Sequence, residues 1–143
     1  MNRPINILLV EDNLGDVRLT REALAESGLH PELHVVSDGE KALEYLLVAK
    51  PDSDHPMPDL ILLDLNLPRM NGYEVLERIK HEPDWRSIPV VVLSTSDSED
   101  DIKSCYEAHA NCYITKPANY APFLDAVSSI EEFWLRTAKL PRH

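Results

Sequence analysis

The stretch Leu60–Val75 reads LILLDLNLPRMNGYEV, and its first half decides the fold. A strand with one wet face alternates apolar and polar side chains, so the unbroken aliphatic run Leu60 to Leu63 marks a strand covered on both faces. The run stops at Asp64, and Asn66, Pro68, Asn71 and Gly72 then break the chain before helical spacing starts at Val75, Leu76 and Ile79. A carboxylate at the exit of a dry strand costs free energy unless a partner compensates it. The identity of that partner is the functional question the sequence poses.

The same pattern repeats on either side. Short apolar runs recur as INILLV (Ile5 to Val10), ELHVV (Glu32 to Val36), VVVL (Val90 to Leu93) and CYI (Cys112 to Ile114). Helical spacing fills the gaps: Val17, Leu19, Ala23 and Leu24; Ala42, Leu43 and Leu46; Ile102, Tyr106 and His109; then Phe123, Val127, Ile130 and Trp134. Alternating strands and helices predict an α/β fold, a doubly wound five-stranded parallel sheet with helices on both faces and the flavodoxin-like strand order 2-1-3-4-5. Gly28 and Pro31 close the first helix, Pro83 follows the third, and Pro122 is tolerated in the first turn of the last. KPDSDHPMPD (Lys50 to Asp59) is a polar loop, because its prolines cannot continue a helix. With no repeat or second composition class, a single domain over residues 1–143 is expected, its last helix extended over residues 120–138.

Composition narrows the partners. Acidic residues outnumber basic ones by 25 to 14, giving a net charge of -11, which disfavours nucleic acid and anionic membrane as ligands. The two cysteines, Cys105 and Cys112, form neither a CxxC pair nor a disulfide framework, as expected in a reducing compartment. The six histidines are scattered without metal-ligand spacing. No apolar run approaches the ~20 residues that span a bilayer, and the start MNRPINILLVED turns acidic too soon for a signal peptide. A cytoplasmic location is expected.

In a doubly wound sheet, functional groups gather beyond the carboxyl ends of the strands. There the sequence puts Glu11 and Asp12, then Asp64, then Ser94 and Thr95, then Thr115, Lys116 and Pro117. Acids just ahead of a helix also serve as caps, but caps alone do not explain a lysine on the same edge. Carboxylates crowded together repel unless a cation joins them, and an all-oxygen donor set suits Mg2+. Lys116 and a hydroxyl from Ser94 or Thr95 can hold a transferring phosphoryl group. Asp64 is then a carboxylate nucleophile that forms an aspartyl phosphate.

LLVEDN, LILLDLNLPRMNG, VVVLSTS and YITKP together resemble the CheY-like receiver domain of two-component response regulators over nearly the whole chain. The resemblance implies that Asp64 is the phosphoacceptor. It further implies that Glu11 and Asp12 hold Mg2+ with Asp64 and the backbone carbonyl of Asn66. Ser94 and Lys116 would contact the phosphoryl group, Tyr113 would be the switch partner of Ser94, and the Lys116–Pro117 bond would be cis. Asn66 and Ser96 flank the phosphoryl position and are expected to tune hydrolysis. EEFWLRTAKLP (Glu131 to Pro141) and EDDIKSCYEAHANCYITK before it are similar to single-domain regulators paired with bacterial and cyanobacterial phytochromes. This implies a stand-alone phosphoacceptor served by a phytochrome-type sensor histidine kinase and acting through protein contacts, not an enzyme with a separate substrate. It also implies a homodimer, for which Phe133, Trp134 and Leu135 are the candidate interface residues.

Other classes fit less well. A flavin mononucleotide carrier needs a phosphate-cradling loop where EDNLGD is acidic. A haloacid-dehalogenase-type phosphohydrolase needs a second aspartate where Asn66 stands. A receiver-like scaffold that is never phosphorylated would not need a complete set of site residues.

Overall fold

The computed structural model describes residues 4–26, 28–51 and 53–141; the two ends of the expected 1–143 domain, among them the first three residues of the start read for a signal peptide, and Asp52 of the polar loop lie outside them. The strands are β1 (Asn6–Val10), β2 (Glu32–Val36), β3 (Leu60–Leu63), β4 (Val90–Ser94) and β5 (Cys112–Thr115). They pair in parallel in the order β2-β1-β3-β4-β5, as expected. Between them run α1 (Leu14–Ala25), α2 (Gly39–Val48), α3 (Gly72–His81) and α4 (Glu99–Glu107), and α5 (Tyr120–Ile130) follows β5.

Side-chain parity along the strands builds two cores. Leu8, Val10, Ile61, Leu63, Val90 and Val92 face α2, α3 and α4. Ile7, Leu9, Leu60, Leu62 and Val91 face α1 and α5, which contribute Leu24, Phe123, Val127 and Ile130. All of β1, β3 and β4 is buried, so each Leu or Ile there is worth roughly 1.5–3 kcal/mol of burial. Cys105 packs on the first face and Cys112 on the second, and both thiols are free.

Helix starts are fixed by local chemistry. Asn13, Asp38, Asn71 and Ser98 accept the backbone N–H of Asp16, Lys41, Glu74 and Asp101 and so cap α1 to α4. On the amino-terminal side of the sheet, the Lys80 ammonium donates to Arg86 O (3.0 Å), Ile88 O (2.8 Å) and Asn111 Oδ1 (3.0 Å), tying α3 to the loops that lead into β4 and β5. Asn111 Oδ1 also accepts from Val90 N at 2.9 Å.

Beyond α5 the chain continues as a π-helix, Glu131–Thr137. Its wider turn stacks residues five apart: buried Glu131 accepts from Arg136 Nε at 3.0 Å, and Thr137 Oγ1 reaches Glu132 O at 3.2 Å. Leu135 turns into the core beside α1 and α5, whereas Phe133 is 52% exposed. Of the candidate interface residues, Leu135 therefore has little surface to offer, because the π-turn rotates it inward.

Candidate functional site

The register of the sheet assembles the site. Val10 of β1 lies opposite Leu63 of β3, so the next residues, Glu11 and Asp64, leave the sheet side by side. Backbone bonds hold them there: Asp64 N donates to Val10 O at 3.1 Å, and Glu11 N to Val36 O at 3.0 Å. The caps of α1 and α3 are Asn13 and Asn71, which leaves Asp12 and Asp64 free of capping duty. Gly72 lets the loop after β3 close on itself, since a Cβ there would collide with the carbonyl oxygen of Asp64 and lie 2.6 Å from Leu65 Cα.

Glu11, Asp12 and Asp64 each offer a carboxylate oxygen, and these atoms lie within 4.8 Å of one another. Such an all-oxygen donor set fits a hard divalent cation. The three acids line a cavity of about 440 Å³ together with Asp16, Asn66, Thr95 and Lys116. Asn66 N donates to Asp64 Oδ1 at 3.1 Å, fixing the carboxylate's rotation.

Lys116 brings the countercharge. Its ammonium sits 2.7 Å from Glu11 Oε1, 2.9 Å from Asp16 Oδ2 and 3.6 Å from Asp64 Oδ2, with only 6% of the side chain exposed. Burial alone would lower its pKa, but hydrogen bonds to Glu11 and Asp16 and the charge of Asp64 raise it above the ordinary lysine value. The Glu11 carboxyl is pushed up to about 7, first by burial and then by the charge of Asp64, against the opposing hydrogen bond and charge of Lys116. A lysine that stays protonated within 3.6 Å of Asp64 Oδ2 is arranged to receive an anion there.

The two hydroxyls at the end of β4 take separate places. Ser94 is fully buried at the end of β4, and its Oγ accepts from Ser96 N at 3.2 Å. Thr95 lines the cavity. Ser96 is held at the start of α4, where its hydroxyl donates to Asp101 Oδ2 at 2.6 Å and accepts from Ser98 N at 3.2 Å. Tyr113 is half-buried against the α2–α4 face, and its hydroxyl donates to Ser96 O at 2.7 Å. Among the described residues no peptide bond is cis, so the expected cis Lys116–Pro117 bond is trans. For X–Pro the trans form is favoured by about 0.5–1 kcal/mol.

Three residues escaped the linear reading. Asp16 stands in the first turn of α1, directly after the acidic end of β1, and that placement was the available signal. Leu14, the first residue of α1, is 83% exposed, and nothing in the pattern around it marks it as unburied. Tyr106 reads as a core position by its spacing, yet it is 47% exposed and its hydroxyl accepts from Tyr113 N at 3.1 Å on the edge strand.

Residues 7–128 match the response regulator receiver domain family. The chain belongs to that family. Over 140 residues this receiver is 49% identical to the response regulator Rcp1 of the cyanobacterium Synechocystis, covering 98% of this chain and 95% of that one. Its fold superposes on the phosphorylated cyanobacterial phytochrome response regulator RcpA with a TM-score of 0.92 at 52% identity, covering 98% of this receiver and all of that chain (100%). The Mn(2+)-bound form of Rcp1 superposes with a TM-score of 0.91 at 48% identity, covering 97% of this receiver and 100% of that chain. Receiver domains of response regulators are signalling modules. No helix among the described residues is long and apolar enough to cross a membrane.

Proposed function

We propose that this receiver is a phosphorelay response regulator whose Asp64 accepts a phosphoryl group from the phosphohistidine of a sensor histidine kinase. The observation that carries the reading is the Lys116 ammonium 3.6 Å from Asp64 Oδ2, in a cavity where Glu11 and Asp12 supply further oxygen donors. Asp64 attacks phosphorus in line, the P–O bond to it forms as the P–N bond to the kinase histidine breaks, and Lys116 steadies the charge on the transferred group. Glu11, Asp12, Asp64 and the carbonyl of Asn66 would hold Mg2+, which when bound offsets the repulsion between the acid and the incoming anion. Ser94 and Tyr113 act as the switch pair, since both converge on the Ser96 backbone, through Ser94 Oγ and the Tyr113 hydroxyl. Asn66 and Ser96 set how readily water reaches the aspartyl phosphate.

The similarity to phytochrome response regulators supports a phytochrome-type kinase as donor and a signal that leaves by protein contacts. Exposed Leu14 and Tyr120, the first residues of α1 and α5, offer apolar surface on which a kinase can dock. Exposed Phe133 and half-buried Trp134 support a homodimer. The protein assists its own phosphorylation and dephosphorylation without turning over a separate substrate. Incubation with Mg2+ and acetyl phosphate, with Asp64→Asn alongside, tests the reading: label is expected in the parent and absent in the variant. Label retained in the variant assigns the acceptor elsewhere.

A further inference from the structure

Lys116 has three N–H donors to distribute, and the way they are distributed points to a role for Asp16. One goes to Glu11 Oε1 at 2.7 Å and one to Asp16 Oδ2 at 2.9 Å. Asp64 Oδ2, at 3.6 Å, lies within ion-pair range but beyond a hydrogen bond. Asp16 is thus the partner that draws the ammonium away from Asp64. It is built to do so: its own backbone N–H is fixed by the Asn13 cap at 3.0 Å, so its carboxylate stands on the first turn of a rigid helix.

We infer that Asp16 is a positioning residue that holds Lys116 beside Asp64 without letting the two close into a direct salt bridge. The consequence is geometric. If Lys116 closed on Asp64, it would cover the oxygen that must attack phosphorus and use the donor that must meet the phosphoryl group. Held by Asp16, the ammonium keeps its third N–H for the incoming anion and Asp64 keeps its lone pair. In the transfer from acetyl phosphate, the bond between phosphorus and the acetyl oxygen breaks and the Asp64 Oδ–phosphorus bond forms. Acetate leaves and Lys116 keeps its proton throughout. Asp16 touches none of the reacting atoms and acts only through Lys116.

The inference rests on the phosphoacceptor reading, and two measurements separate their failures. The first follows the Lys116 side-chain ammonium by 1H–15N NMR in metal-free protein. Asp16→Ala should shift this signal and speed its exchange with water, with a smaller effect from Asp16→Asn, which keeps an acceptor but loses the charge. The second follows label incorporation from acetyl phosphate with Mg2+. Asp16→Ala should slow it between about 10- and 100-fold, the scale expected when a catalytic group is misplaced by about an ångström, while Asp16→Glu should recover most of the rate. If Asp16→Ala does not fold, Asp16→Asn carries both measurements. An unchanged ammonium signal overturns the inference whatever the rate does, and so does an unchanged rate in protein that labels normally. Absence of label in the parent protein overturns the phosphoacceptor reading instead, and the metal-free spectrum still judges the hold of Asp16 on Lys116.

Discussion

At Glu11, burial and charge pull against each other: its 4% exposure and the neighbouring Asp64 favour the neutral acid, while Lys116 favours the carboxylate, and the outcome is a pKa near 7. A ligating carboxylate must be deprotonated, so a cation entering the metal-free site below that pH has to displace a proton. Apparent Mg2+ affinity should therefore climb by up to about tenfold per unit between roughly pH 5 and 7 and level off above. Glu11→Gln should bind more weakly and lose the slope. Titrations at several pH values that give one constant affinity for the parent would remove Glu11 from the ligand set. The same raised pKa acts on folding. The folded chain holds this proton more tightly than the unfolded one, so Glu11's contribution favours the metal-free fold at low pH and is lost as pH rises through about 7. Gly72 makes a second residue-scale test. Adding one methyl drives the start of α3 into the Asp64 carbonyl. Gly72→Ala should cost about 1–3 kcal/mol in urea unfolding, as overpacking does, and lower label incorporation as well, because the atom displaced belongs to the nucleophile's own residue. A variant with parental stability and labelling would show that this loop yields freely.

Among the helices, α4 is the least anchored, with Cys105 its one buried residue. Both its ends lead to Tyr113: the hydroxyl meets Ser96 O ahead of the helix, and the backbone N–H meets the Tyr106 hydroxyl in its last turn. A residue of the edge strand thus clamps a lightly packed helix at two points, the kind of two-position element that a switch needs. Tyr106→Phe should cost under about 1 kcal/mol, since water can replace a hydrogen bond at an exposed edge. It should speed hydrogen exchange at the Tyr113 amide while β4 keeps its protection. Loss of protection throughout β4 would mean that Tyr106 supports the sheet and not the helix. Lys80 offers the contrasting case of a rigid tie, and Lys80→Met, which removes three charge-assisted bonds, should cost about 1.5–3 kcal/mol. A smaller loss in urea melts would mark those contacts as solvent-replaceable. These cases also separate what was legible in the sequence from what was not. Strands β1, β3 and β4 could be read because unbroken aliphatic runs have only one stable environment, and the site acids could be read because they directly follow those runs. Asp16, Tyr106 and Lys80 could not, because each acts through a side chain that reaches an element remote in the chain, and spacing carries no record of that reach. The π-turn escaped for a related reason: it preserves helical composition and changes only which residues stack, which is why Leu135, named with Phe133 and Trp134 as a candidate interface residue, lies in the core.

The molecule as a whole carries a net charge of -11, so two copies repel each other before they touch. The proposed association through the carboxyl-terminal π-helix has to overcome that repulsion with apolar contact. Phe133 is suited to this, being 52% exposed and stacked edge-on against Trp134 at a centroid distance of 5.2 Å, which presents a preformed aromatic step and not a floppy side chain. The two contributions depend oppositely on salt. Screening shortens the reach of charge repulsion from about 10 Å at 0.1 M to about 3 Å at 1 M salt, while burial of aromatic surface is not weakened. Dimerisation of the unphosphorylated protein should accordingly tighten as salt is added, the reverse of an interface held by ion pairs. Phe133→Ala should weaken it at every salt concentration, and Phe133→Glu, which adds charge to the same spot, should abolish it at low salt and leave the Asp64 labelling rate unaltered, because the π-helix lies outside the cavity. Sedimentation equilibrium over a range of salt and protein concentration measures all three chains directly. A parent that tightens as salt is withdrawn would place ion pairs, for which this face offers Arg136 and Lys139, at the interface in place of the aromatic step.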